Sequence, residues 1–207
     1  MKVLVTGGSS KLAQCIKNQF NCEVDNPSRR DLDLNDLQSI DTFTGNSVKQ
    51  YTHIILNGYG RSGEFSNYSS IAEFNKTKEV YLNSSINSMV NQLYLLNKFK
   101  SSLICSVFMI TGVDFIADNR SYNNYRTMKS FGRDLVFRYI INEHPESKCI
   151  GIHPGHLTTE EEYDTAATKI NNLISNHVDL NNLHTYHFNK NATTLIEDNN
   201  SVKFTGN

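Results

Sequence analysis

Residues 2–13 read KVLVTGGSSKLA, an apolar run that passes through a glycine turn into a helix-forming segment. A strand feeding a tight glycine turn aims the free N–H groups and the positive dipole end of the next helix at an anion. Gly7 permits the turn, small Gly8 permits close approach, and the hydroxyls of Ser9 and Ser10 donate to phosphate oxygens. The stretch predicts a phosphate-binding loop, with a bare strand-to-helix turn as the alternative.

Outward from this loop, short apolar runs alternate with helix-length segments, which is typical of a parallel sheet covered on both faces. Strands are predicted at 3–5, 22–24, 32–34, 53–56, 103–111 and 149–153, with a last strand at 185–188 or 193–196. Helices are predicted at 12–20, 35–42, 70–98, 122–143 and 165–176. The expected fold class is α/β, a doubly wound parallel sheet in three layers. No repeat or linker divides the chain, so one domain is expected over 1–207.

Composition excludes several functional classes. The 207 residues carry 20 Lys+Arg against 21 Asp+Glu, a net charge of -1, which argues against a nucleic-acid or acidic-membrane binder. The longest apolar stretch, at 103–110, is too short to span a bilayer. No signal-peptide pattern opens the chain, so a cytoplasmic location is expected. The four cysteines form no C-x-x-C pair, which predicts reduced thiols and no metal site.

A charged segment follows the second predicted strand, where a dinucleotide-binding sheet reads the adenosine ribose. Arg29 and Arg30 favour a ribose 2′-phosphate through charge-assisted hydrogen bonds, and so indicate NADP(H). Asp25 lies close enough to be the acid that would favour NAD(H) instead. A solvated run of charges is the structural alternative.

Three Tyr-x-x-x-Lys pairs occur, at Tyr94, Tyr125 and Tyr186. On a helix this spacing places an ammonium beside a phenol, which stabilises the phenolate and suits a general acid or base. The spacing alone is weak evidence. Only Tyr125, with Lys129, follows at a workable distance a predicted strand that ends in a hydroxyl residue. The context therefore favours this pair.

Several short motifs stand in a fixed order along the chain. The first three are the glycine loop at Thr6-Gly7, the acidic-apolar step Asp33-Leu34 and the turn Asn57-Gly58. Asn83 in a long predicted helix and the strand-end hydroxyl of Thr111 follow. The last two are the Tyr125/Lys129 pair and the turn Pro154-Gly155. Their order and spacing resemble the short-chain dehydrogenase/reductase family over residues 1–160.

The resemblance implies a Rossmann-type fold and an oxidoreductase that moves a hydride between NADP(H), or less favourably NAD(H), and a carbonyl or alcohol carbon. The implied catalytic set is Asn83, Thr111, Tyr125 and Lys129. Tyr125 would exchange the proton, Lys129 would hold the nicotinamide ribose and lower the tyrosine pKa, Thr111 would orient the carbonyl, and Asn83 would hold a helix kink and a relay water. The implied cofactor-binding residues are Thr6, Gly7, Ser9, Ser10, Lys11, Leu12, Arg29, Arg30, Asp33, Leu34, Asn57, Gly58, Tyr125, Lys129, Pro154, Gly155, Leu157 and Thr159.

The resemblance also implies a small carbonyl or alcohol substrate and a homodimer or homotetramer, with no nucleic-acid or membrane partner. The chain departs from the family pattern at Lys11 and Ala13, where glycines are expected. The Lys11 ammonium suits a phosphate. Glu160 begins an acidic run interpreted as a solvated helix start. The altered glycine loop and a region after Gly155 that is short for a substrate lid favour one alternative, a non-catalytic NADP(H)-binding sensor or scaffold. A nucleotide-sugar reductase or epimerase relative is a further alternative, but such enzymes usually carry a larger C-terminal substrate domain, for which there is little room here.

Overall fold

A computed structural model describes residues 1–45, 51–58, 69–99, 106–110, 123–154, 157–176 and 184–187. Within these ranges the strands are β1 (Lys2–Val5), β2 (Glu23–Asp25), β3 (His53–Leu56), β4 (Ser106–Ile110), β5 (Lys148–His153) and β6 (His184–His187). The helices are α1 (Lys11–Gln19), α2 (Leu37–Gly45), α3 (Ile71–Val80), α4 (Asn87–Lys98), α5 (Asn123–Glu143) and α6 (Glu160–Asn176), and a π-helical segment, Tyr81–Ile86, joins α3 to α4. The α/β fold class expected from the sequence is confirmed.

The six strands form one parallel sheet in the order β2-β1-β3-β4-β5-β6. The chain steps outward from β1 to β2, then returns to the other side of β1 and proceeds through β3 to β6. The order therefore reverses between β1 and β3. Loops that leave two such strands diverge, and the crevice between them is where ligands bind in open α/β sheets.

Alternating side chains of the central strands supply two cores, one on each face of the sheet. Val3 and Val5 of β1 pack with α1 and α6, whereas Leu4 lies in the cluster on the opposite face. That second cluster contains residues of α2, α4 and α5, including Val136 and Ile140 of α5. Side chains that point alternately up and down a pleated strand produce this division, and the result is the three-layered, doubly wound sheet.

The predicted strand at 32–34 is wrong. Leu32 and Leu34 are buried, but the segment is irregular and lies between two turns. The N–H of Leu32 donates to the carbonyl oxygen of Ser28 (2.9 Å), the N–H of Asp33 to the Ser39 hydroxyl (2.9 Å), and the N–H of Asn35 to Asp33 Oδ1 (2.9 Å). Local polar groups thus take the donors that a strand ladder would need.

Other boundaries differ by smaller amounts. The predicted helix at 70–98 is present, but a π-helical segment interrupts it. Helix α6 begins at Glu160, because Thr159 accepts a hydrogen bond from the N–H of Glu162 (3.3 Å) and the Glu162 carboxylate accepts one from the N–H of Thr159 (3.1 Å). The last strand is at His184–His187, which overlaps the first of the two predicted positions; residues 193–196 lie outside the described ranges.

Cys15, Cys22 and Cys149 are free thiols, as expected, and Cys105 lies outside the described residues. On α5, Val136 and Ile140 are buried whereas Phe131 is 45% exposed, so the apolar side chains of this helix are only partly buried. Among the helices described, none has the length and apolarity needed to cross a bilayer. The described residues also contain no group of three or more His, Cys, Asp or Glu side chains suited to a metal ion.

Acid is expected to destabilise the fold through His53 at the start of β3. Burial lowers the pKa of His53 from 6.5 to about 4, while its Nδ1 lies 2.9 Å from the Thr52 hydroxyl. The unfolded chain therefore binds more protons than the folded protein between these values, and stability should fall as pH drops from about 6.5 to about 4, by roughly 1–3 kcal/mol. Chemical denaturation of His53→Gln across this range should show a shallower pH dependence than the unmodified protein. Equal slopes would contradict the assignment.

Candidate functional site

One buried hydroxyl ties the loop after β1 to the loop after β3. Thr6 is fully buried, and its Oγ1 accepts hydrogen bonds from the N–H groups of Asn57 (3.0 Å) and Gly58 (2.9 Å). The N–H of Thr6 donates to the carbonyl oxygen of Ile55 at 3.0 Å. Both loops leave the sheet at the point where the strand order reverses. Thr6 therefore sets the geometry of the crevice where this fold class binds ligands.

The two loop glycines are required by the protein's own backbone. Gly7 has φ of +71°, and a Cβ there would lie 2.7 Å from the Gly58 Cα. Gly8 donates its N–H to the Pro27 carbonyl oxygen (3.0 Å), and a Cβ would lie 2.5 Å from the carbonyl oxygens of Asn26 and Pro27. The absence of a side chain at Gly8, which was expected to let a ligand approach, instead lets the loop at Asn26 and Pro27 pack against it. The N–H of Gly8 is already hydrogen-bonded within the protein.

The N-terminus of α1 retains donors that suit an anion. Ser10 caps the helix, since its Oγ accepts from the N–H of Ala13 (3.3 Å) and from the Asn57 side-chain amide (2.8 Å). Its own hydroxyl hydrogen stays available to donate. No described residue accepts a hydrogen bond from the N–H groups of Lys11 and Leu12. This donor set fits a phosphate group at a helix N-terminus.

Lys11 is held by an acidic residue that is distant in sequence. Its Nζ lies 2.6 Å from Oε1 of Glu160 and 5.6 Å from the ring centroid of Tyr163. The hydrogen bond raises the pKa of Lys11 and lowers that of Glu160. The ammonium expected to meet a phosphate is therefore paired within the protein, across the junction of α1 and α6.

The charged residues after β2, which were expected to bind the adenosine ribose, differ in their contacts. Asp25 accepts a 2.5 Å hydrogen bond from the hydroxyl of buried Tyr51; burial and this bond raise the Tyr51 pKa above its ordinary value. Arg29 Nε pairs with Asp33 Oδ2 at 3.0 Å, although the Arg29 side chain is 73% exposed. Arg30 is exposed. Both arginines thus lie at the surface, Arg29 in an exposed ion pair with Asp33, whereas Asp25 is bonded to Tyr51.

Leu34 lies next to the loop after β3, at the crevice where the strand order reverses. A Cβ on Gly58 would lie 3.0 Å from Leu34 Cδ1, and the Leu34 carbonyl oxygen accepts a 2.8 Å hydrogen bond from the Asn91 amide. The contact places the acidic-apolar step beside the loops after β1 and β3.

Asn83 lies in the π-helical segment, where its side chain is exposed. In the amide orientation favoured by its surroundings, the Asn35 side chain donates to the carbonyl oxygens of Asn83 and Ser84, both at 3.1 Å. Because a π-turn leaves helix carbonyls without their usual partners, Asn35 supports the irregularity from outside the helix. Asn35 was missed in the sequence, since no motif marks this contact.

Lys129 of the favoured tyrosine-lysine pair lies in α5 and is 4% exposed. Burial lowers its pKa well below the ordinary lysine value. Tyr125 lies four residues earlier in the same helix, so the two residues share a helix face; the Tyr125 side chain and Thr111 fall outside the described part of the site. The convergence of the four catalytic candidates therefore stays a prediction.

After β5, Pro154 is buried, and half-buried Leu157 packs against the cluster formed by α1 and α6. Thr159 is exposed and caps α6 together with Glu162. Gly155 lies outside the described residues. The described residues of this segment thus lie between the carboxyl end of β5 and the start of α6, next to Glu160.

The Tyr94/Lys98 pair, which the sequence context disfavoured, has a structural role. The Tyr94 hydroxyl donates to Asp41 Oδ1 (2.8 Å), and Lys98 Nζ lies 2.6 Å from the same oxygen. The Lys98 ammonium also lies 4.6 Å from the Tyr94 ring centroid. These contacts join α4 to α2 at the protein surface.

Comparisons with known proteins agree on the fold. No protein-family model and no curated protein matches this chain. Among solved structures, a short-chain dehydrogenase/reductase from Vibrio parahaemolyticus matches with a TM-score of 0.66 and 16% identity, over 90% of this chain and 100% of that one. Serine dehydrogenase from Escherichia coli gives 0.65 and 18%, over 88% and 96%. A carbonyl reductase from Pseudomonas aeruginosa PAO1 in complex with NADP gives 0.66 and 13%, over 90% and 96%.

At these identities the likeness establishes the fold alone: this chain has the Rossmann fold found in short-chain dehydrogenase/reductases. Nearly the whole of each neighbour is matched. The alignment with this chain therefore leaves only a small part of each of these three neighbours unmatched.

Proposed function

We propose that this protein is an NADP(H)-dependent oxidoreductase of the short-chain dehydrogenase/reductase type, acting on a carbonyl or alcohol group of a small molecule. The observation that carries the proposal is the burial of Lys129 four residues after Tyr125 on α5. A lysine is rarely buried to this extent unless its ammonium is paired or used. Neighbours with this fold include reductases and dehydrogenases, and NADP complexes are among them.

The glycine loop supports the cofactor assignment. The N–H groups of Lys11 and Leu12, the Ser10 hydroxyl and the dipole of α1 form a donor set suited to a diphosphate. Thr6 and the backbone of Gly58 fix the crevice beside it. When bound, the nicotinamide cofactor would supply the hydride chemistry.

The chain's own residues would position the substrate and move the proton. The Tyr125 hydroxyl would exchange a proton with the substrate oxygen, Lys129 would hold the nicotinamide ribose and favour the phenolate, and Thr111 would orient the substrate oxygen. The π-helical segment at Asn83 would hold a relay water. On the nicotinamide side would lie Pro154, Gly155, Leu157 and Thr159. A cytoplasmic homodimer or homotetramer remains part of the proposal.

Cofactor preference provides the first test. Titration of the purified protein with NADPH and NADH, followed by cofactor fluorescence, should show tighter binding of NADPH. Replacing both Arg29 and Arg30 by methionine should weaken NADPH binding by about tenfold or more, because charge-assisted bonds to the 2′-phosphate are lost, and should leave NADH binding nearly unchanged. Arg138→Met is the control, since exposed Arg138 lies on α5.

The outcomes separate three accounts. Preference for NADH would move the ribose reader to Asp25, which would then have to release Tyr51. Cofactor binding without turnover of any carbonyl compound would favour the non-catalytic sensor or scaffold. Failure of the protein to bind either cofactor would reject the proposed function.

A further inference from the structure

The ion pair between Lys11 and Glu160 joins the first residues of two helices. Lys11 begins α1 directly after the glycine loop, and Glu160 begins α6, so the carboxylate adds a negative charge beside the two helix N-termini. The Nζ–Oε1 distance of 2.6 Å shows that the pair is in direct contact. An anionic ligand at the loop would therefore encounter a Lys11 ammonium that is already paired with the Glu160 carboxylate.

We propose that Glu160 is an internal counter-ion that holds Lys11 in the ligand-free protein and yields it to a phosphate of the bound dinucleotide. Glu160 would then be an affinity-setting residue: its carboxylate competes with the phosphate for one ammonium and makes binding weaker than the loop alone would allow. This inference rests on the proposed function and adds a residue that lies outside the glycine loop.

Solvent exposure makes the exchange energetically accessible. The side chains of Lys11 and Glu160 are 45% and 85% exposed, so the lysine can turn without opening the core. An exposed ion pair contributes little net free energy, whereas a phosphate offers several strong acceptor oxygens. A diphosphate is therefore expected to displace the single carboxylate.

The start of α6 does not depend on Glu160. The Glu162 carboxylate accepts hydrogen bonds from the N–H groups of Thr158 (2.6 Å) and Thr159 (3.1 Å), and the Thr159 hydroxyl caps the helix. Removing the Glu160 charge leaves this capping box intact. A Glu160→Gln variant should therefore fold, and it isolates the electrostatic effect.

A double-mutant cycle measured by NADPH titration tests the exchange. Glu160→Gln should bind NADPH roughly two- to fivefold more tightly at low salt, and the gain should shrink at high salt. Lys11→Met should bind more weakly, and adding Glu160→Gln to it should have no further effect. Glu161→Gln is the matched control, because Glu161 lies in the same helical turn and forms no ion pair with a described residue.

Melting curves of the ligand-free variants accompany the titrations and separate folding from binding. Unchanged or weaker binding by Glu160→Gln would overturn the inference, as would an equal gain from Glu161→Gln or a gain that persists beside Lys11→Met. If the unmodified protein binds neither NADPH nor NADH, the proposed function fails, and the exchange fails with it. If the unmodified protein binds NADPH and the cycle shows no coupling, only the exchange fails.

Discussion

Replacing Tyr125 by phenylalanine should lower turnover by about 10²–10⁴-fold, the range that a positioned general acid or base contributes. The substitution removes one hydroxyl and keeps the ring, so the affinity for NADPH should change little. Steady-state oxidation of NADPH against a panel of aldehydes and ketones measures the first effect, and fluorescence titration measures the second. Loss of turnover with retained binding would separate a role in proton transfer from a role in holding the cofactor.

Tyr94→Phe is the matched control because it makes the same chemical change in a second Tyr-x-x-x-Lys pair. Its hydroxyl bonds to Asp41 at the surface junction of α2 and α4. Turnover should therefore persist, with at most a small decrease in Tm. Should Tyr125→Phe retain full turnover, Tyr125 would not be the proton donor.

Replacing Gly7 by alanine should destabilise the protein and abolish most cofactor binding. Alanine at φ of +71° is strained, and its Cβ would lie 2.7 Å from the Gly58 Cα, a contact with backbone that no side-chain rotation relieves. The backbone strain alone costs about 1–3 kcal/mol, and relieving the contact separates the loops after β1 and β3. Thermal melting and NADPH titration measure the two effects.

Gly45→Ala is the control for the same chemical change. Gly45 is the last residue of α2, and an added Cβ there would meet no atom of the described residues within 4 Å, its chain neighbours aside. Its Tm should stay the same or rise slightly, because alanine has fewer conformations to lose on folding. A Gly7→Ala variant with the Tm and NADPH affinity of the unmodified protein would show that the two loops are not rigidly joined.

The position of the glycine loop could be predicted from the sequence because its determinants are local. The apolar run before Thr6 and the turn at Gly7 lie within a few residues, and alternation along β1 assigns Val3 and Leu4 to opposite faces of the sheet. The same local rules located the helix that carries Tyr125 and Lys129 to within one residue of its start.

Local rules were insufficient where polar groups compete for the backbone. Apolar alternation predicted a strand at 32–34, and the buried positions of Leu32 and Leu34 agree with it. The hydrogen bonds differ, because Asp33 and Ser39 supply partners that a pattern of apolar residues does not describe. The apolar pattern therefore agrees with the burial of Leu32 and Leu34 but predicted the wrong secondary structure for the segment.

By itself, the sequence determined the alternation of strands and helices, the glycine turn and the tyrosine-lysine pair, since each depends on neighbours along the chain. Only the tertiary structure decided which charges are already paired. Glu160 contacts Lys11 across 149 positions, and Tyr51 holds Asp25 across 26. Such contacts depend on which helices and strands the sheet order brings together, and no spacing within a segment encodes them.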